Sequence, residues 1–140
     1  MGTVMAAGTF DILHAGHVNY LKQARKLGER LVVIVATDSN VQKTKGEKPL
    51  NGQEHRRDLI ASLGFVDETM IGSDKDILDS VEKIRPDVIA MGYDQRPGNE
   101  ELAKRLAKRG IKAKIVRLEP YKENLYKSSK IKRSLREFRA

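Results

Sequence analysis

Two of the chain's three histidines, His14 and His17, stand three residues apart in "GTFDILHAGH". If a helix begins near Leu13, both project from one face of its first turn. The free N–H groups and the positive dipole end of a helix N-terminus attract anions. Gly16, between the histidines, carries no side chain and lets a bulky ligand approach the backbone. The chemistry this spacing offers is phosphate binding, with two imidazoles aimed into a cradle at the helix start. Zinc binding is a competing use of paired histidines. Against it, there is no cysteine, His55 is the only other histidine, and no third ligand is evident. Incidental placement on a solvated turn is the other alternative, and the run Gly-Thr-Phe-Asp-x-x-His-x-Gly-His is more specific than that requires. The site is read as having no protein-held metal.

The elements that must position these residues are legible as alternating patterns. "TVMAAG" (3–8), "RLVVIVA" (30–36), "DETMIG" (67–72), "DVIAMG" (87–92) and "AKIVRL" (113–118) read as strands. Those around Val33 and Ile89 are apolar on successive residues, as parallel strands covered on both faces require. Segments 15–27, 53–63, 76–84, 99–108 and 128–138 carry apolar residues at helical spacing. The alternation predicts an α/β fold, a doubly wound Rossmann-like domain spanning 1–140 with a five-stranded parallel sheet and right-handed crossovers. Ligands then belong at the carboxyl ends of the strands, near the point where the strand order reverses. Thr9 to Asp11, Thr37 and Asp38, Tyr93 and Asp94, and Tyr121 all fall on that edge. One long connection, 38–52, is polar and contains glycine; loops of this length often act as lids.

Composition narrows the classes. The 140 residues can bury a full core, and the lack of cysteine excludes a disulfide scaffold, a thiol nucleophile and cysteine-rich metal sites. No apolar run approaches the roughly 20 residues that span a bilayer and no leader pattern is seen, so a cytoplasmic location is expected. With 27 Lys and Arg against 19 Asp and Glu, the formal charge of +8 suits anionic partners, from nucleotides to nucleic acid. A nucleic-acid-binding module is therefore the non-enzymatic alternative, motivated by the basic end "KSSKIKRSLREFRA". Ile131, Leu135 and Phe138 there fall at i, i+4 and i+7, the pattern of a helix packed on a core with a solvated basic face. Few aromatics are available to stack on bases, and no groove-reading motif is present.

"GTFDILHAGH", together with "YKSSKIKRSL" at 126–135, resembles the two signatures of the HxGH nucleotidyltransferase superfamily, in its cytidylyltransferase-like branch. Within the branch, "ATDSNVQKTK" and "EHRR" are similar to glycerol-3-phosphate cytidylyltransferases, which use CTP. "MGYDQ" at 91–95 is similar to archaeal FAD synthases, which join an adenylyl group from ATP to FMN. The region before the last helix, "EPYKENLYKSSK", lacks the arginine of the cytidylyltransferases, which favours the flavin branch; the cysteines frequent near the C-terminus of the archaeal enzymes are absent. The resemblance implies in-line attack by an acceptor phosphate on the α-phosphorus of a nucleoside triphosphate, with Mg²⁺ carried by the triphosphate, and a homodimer. It assigns His14 and His17 to the phosphates, with Thr9, the Phe10 N–H, Ala15 and Gly16 completing the cradle, and Ser128 and Ser129 to the triphosphate, where the serines could equally be a helix N-cap. Lys43 or Lys45 would close over the phosphates, the alternative being a solvated basic loop. Arg56 would be the family's helix arginine, the alternative being an external ion pair. Asp94 and Tyr121 are candidates for the sugar or base, and Asp38 is a further candidate. Asp11 is expected to orient the turn rather than touch phosphate.

Overall fold

The computed structural model describes residues 2–120. The helix expected at 128–138, and with it Tyr121, Ser128 and Ser129, lies outside the described residues. Five strands, β1 (Thr3–Gly8), β2 (Arg30–Val35), β3 (Glu68–Ile71), β4 (Val88–Met91) and β5 (Lys114–Arg117), pair in the order β3-β2-β1-β4-β5. Every pairing is parallel, so the carboxyl ends of all five share one edge. The chain winds outward from β1 to β3 on one side and from β4 to β5 on the other. The order therefore reverses between β1 and β4.

Helices α1 (Ala15–Arg25), α3 (Gln53–Ala61), α4 (Ile77–Ile84) and α5 (Asn99–Lys108) supply the crossovers. Leu21 and Ala24 of α1 and Ile60 of α3 pack with Leu31, Val33 and Val35 of β2. On the opposite face, Leu78 and Val81 of α4 and Leu102 and Leu106 of α5 pack with Val32 and Ile34 of the same strand. Alternate residues of one strand feed two cores, so the run Leu31 to Val35 is apolar without a break.

The connection 38–52 is not the open loop that its polarity suggests. Its first half forms α2 (Asp38–Lys45). Val41 is its one buried residue, which is why no helical period is visible. Its ends decide the matter. Thr37 caps the start by accepting from Asn40 N, Asp38 lies at the positive end of the dipole, and Lys43 and Lys45 at the negative end. Gly46 closes it at φ 80, a left-handed conformation suited to glycine. Only 46–52 remains as loop.

Candidate active site

Beyond β1 the chain makes a tight turn. Phe10 adopts φ 53, and its buried ring folds back over the strand end. A Cβ on Gly8 would come within 2.7 Å of that ring, so the turn requires glycine there. The Phe10 ring meets His17 edge-on, with ring centroids 5.4 Å apart.

His14 and His17 cap α1 themselves. His14, extended at φ −141, accepts from Gly16 N at 3.1 Å through Nδ1, and His17 Nδ1 accepts from His14 N at 3.4 Å. The two rings stack with centroids 3.8 Å apart and planes 20° from parallel. Burial lowers the pKa of His14. Burial, then the charges of His14 and Lys45, lower that of His17 to about 3, against an opposing contribution from the Ile12 carbonyl. Both imidazoles are neutral at pH 7. With Nδ1 accepting, the ring proton of each belongs on Nε2.

Asp11 is 1% exposed, and its oxygens accept from Leu50 N and Asn51 N, each at 2.8 Å. Its own carbonyl accepts from Asn51 Nδ2 at 2.6 Å. The carboxylate thus fastens 46–52 to the turn. Arg56 is not the external ion pair considered above: it is 0% exposed. Its Nε donates to Asn51 O at 2.9 Å, Nη1 to Thr9 O at 2.9 Å and Nη2 to Asp38 Oδ1 at 2.7 Å. It reaches that position because Arg56 and Ile60, one turn apart, share the inward face of α3. One guanidinium therefore joins the cradle turn, the 46–52 loop and the start of α2.

Lys45 follows the buried Val41 by four residues and shares its face, while Lys43 is turned to the other side. The structure thus brings Lys45 toward His17 and leaves Lys43 apart. Lys45→Ala is expected to lower kcat/KM by roughly 10- to 100-fold, the size of one charged hydrogen bond to phosphate, and Lys43→Ala by less than about twofold. Steady-state kinetics of the two variants check this; equal effects would remove the distinction.

At the far side of the switch point Asp94 is exposed on the turn after β4. Arg117 holds this turn with Nη1 donating to Gly92 O at 2.8 Å and to Gln95 O at 2.7 Å, and Nη2 to Asn99 Oδ1 at 2.6 Å. Tyr93, Asp94, Arg96, Pro97 and Arg105 line a groove of about 660 Å³ there. Another groove, of about 460 Å³, lies beside Asp87 and Lys112 at the amino edge of the sheet, away from the histidines. Asn51, Tyr20, Gln95 and Arg117 were not singled out by sequence. The only signals were an Asn-Gly pair, a tyrosine one turn after His17, and the last letter of "GYDQ".

The sheet thus reverses its order beside a helix N-terminus that carries two stacked histidines, the arrangement expected of a nucleotidyltransferase. Residues 5–134 match the cytidylyltransferase-like family, and the chain belongs to it. It is 50% identical over 123 residues to the FAD synthase of Methanosarcina barkeri, covering 88% of this chain and 87% of that one. With the FAD synthase of Thermoplasma volcanium it shares 42% over 134 residues, covering 96% and 94%. A solved structure from Thermoplasma volcanium, described as a lipopolysaccharide core biosynthesis protein, is 44% identical with a TM-score of 0.82, covering 85% of this chain and 97% of that one. Pantoate-beta-alanine ligase from Francisella tularensis, at 14% identity and TM-score 0.63 over 99% of this chain and 70% of its own, shares the fold alone.

Proposed function

We propose that this enzyme is an FMN adenylyltransferase, transferring AMP from ATP to FMN to give FAD and pyrophosphate. The observation that carries the reading is the 50% identity to an FAD synthase over nearly the full length of both chains. A phosphate oxygen of FMN attacks the α-phosphorus of ATP; the new P–O bond forms as the bond to the β-phosphate oxygen breaks, and pyrophosphate leaves with its electron pair. Little covalent work falls to the protein, so positioning and charge stabilisation dominate. The Nε2–H groups of His14 and His17 and the first-turn amides of α1 donate to oxygens whose charge grows in the transition state. Lys45 adds a cation from the α2 side. Ser128 and Ser129 bind the triphosphate, and Asp94 and Tyr121 the nucleoside.

Among the described residues no group of three His, Asp or Glu side chains is placed to hold a metal ion. Asp11 and Asp38 are engaged by backbone amides and Arg56. In this reading Mg²⁺ arrives bound to the triphosphate oxygens. In this reading residues 1–140 act as one domain, the enzyme works in the cytoplasm, and it is a homodimer. No helix among the described residues is long and apolar enough to cross a membrane. Glycerol-3-phosphate cytidylyltransferase activity and a nucleic-acid-binding role are not favoured.

The test is pyrophosphate release with paired substrates. FMN plus ATP should give a yellow product heavier by one adenylyl group, with little turnover of glycerol 3-phosphate plus CTP. The reverse pattern would reassign the acceptor and the base.

A further inference from the structure

We infer that Gln95 sets the width of the nucleotide crevice and thereby favours a purine over a pyrimidine triphosphate, an inference that rests on the adenylyltransferase reading and deepens it. Strands β1 and β4 are in register from Val4 opposite Val88 to Ala6 opposite Ala90. One further step of a parallel ladder would join Gly92 N–H directly to the carbonyl of Ala7. The Gln95 carboxamide stands between them instead: Oε1 accepts from Gly92 N at 2.9 Å, and Nε2 donates to Ala7 O at 2.7 Å. The ladder is thus continued through a side chain, and the strands part by the width of an amide at the edge where the sheet reverses order.

Three neighbours keep the amide in place. The buried Tyr20 hydroxyl, from α1, donates to Ala90 O at 2.8 Å, accepts from Ala7 N at 3.3 Å and lies 3.5 Å from Gln95 Oε1. Arg117 fixes the backbone carbonyl of Gln95 at 2.7 Å. Gly92 leaves room for the stem, since a Cβ there would lie 3.3 Å from Gln95 Cγ and 3.4 Å from its Cδ.

The histidine cradle hangs from the end of β1, and the Tyr93–Asp94 turn follows β4. A nucleotide whose phosphates lie in the cradle must cross this gap to place its base beside that turn. A purine is one ring larger than a pyrimidine and needs the wider opening. Removing the carboxamide takes away the spacer between Gly92 N–H and Ala7 O; the Tyr20 hydroxyl still spans Ala7 N and Ala90 O, so the opening narrows at its outer edge, beyond Tyr20.

Gln95→Ala is the test, read by equilibrium titration with ATP and with CTP, and by steady-state kinetics with FMN. Affinity for ATP should fall by at least about tenfold while that for CTP is held, the scale of discrimination a pocket's shape provides. KM for ATP should rise in step, with kcat at saturation within about threefold of wild type. Lys108→Ala, exposed at the far end of α5 and outside both grooves, should leave both unchanged. Gln95→Asn keeps the amide one carbon too short to span the gap; it carries the same test if the alanine variant does not give a cooperative melt. Equal shifts for ATP and CTP in a folded variant, no shift, or a wild type that binds both equally would overturn the inference. Absence of pyrophosphate release with FMN would overturn the acceptor instead, because the titrations contain no FMN.

Discussion

His17→Ala should lower kcat by on the order of 10²- to 10³-fold, the loss that follows removal of one donor to a developing oxyanion. His17 is neutral across the physiological range, its pKa lying at about 3. Its contribution is therefore a directed N–H and not a positive charge. Such a donor gains most when charge accumulates on the phosphate oxygens, so the loss should fall mainly on kcat, with little change in KM. The substitution also removes the acceptor for His14 N and the ring stacked on His14. Loss of a helix cap costs about 1 kcal/mol, a shift of a few degrees in the melting temperature. Single-turnover kinetics beside a thermal melt separate the two effects. A variant with the wild-type rate would remove the cradle from the mechanism.

The largest effect on stability is expected at Arg56. Truncation to alanine leaves the carbonyls of Thr9 and Asn51 without their donor and a void where a fully buried side chain stood. Unsatisfied buried groups cost about 1–3 kcal/mol, so with the cavity a loss of roughly 3 kcal/mol is expected, near 10 °C in melting temperature at this chain length. Asp38, the ionic partner, is 46% exposed and remains solvated, so the ion pair itself adds little. Arg56→Lys should recover only a fraction, because an ammonium cannot reproduce a planar fork serving three acceptors. The neighbouring Arg57, paired with Glu54 and Asp58 on the outer side of α3, is the contrast: its alanine variant should change stability by less than about 0.5 kcal/mol. Equal melts for the two variants would show that the buried network holds nothing together.

These two residues mark where sequence was informative and where it was not. The sheet could be read because Leu31 to Val35 must satisfy two cores at once, a demand that leaves an unbroken apolar run. The histidine turn could be read because its residues are adjacent in the chain. Helix α2 was hidden by its own composition: with Val41 alone buried, its signal lay in Thr37 and Gly46 at its ends. Arg56 gave no sign of burial because its acceptors come from Thr9, Asp38 and Asn51, three separate stretches of chain. The partners of Gln95, Ala7 and Tyr20, are likewise 88 and 75 residues away, and only the fold makes them neighbours.

The capping bonds of the two histidines bear on when the enzyme meets the energetic cost of orienting its donors. A free imidazole exchanges its proton between two nitrogens and turns about its side-chain bonds. Here Nδ1 of each ring accepts a backbone N–H at the start of α1, so changing tautomer or rotating the ring would give up a capping bond worth about 1 kcal/mol. Folding therefore favours one tautomer and one ring direction for each histidine before any substrate arrives. In the proposed reaction, reorganisation that would otherwise accompany every turnover is then completed once, when the helix forms, and donors set this way would meet the phosphate already aligned.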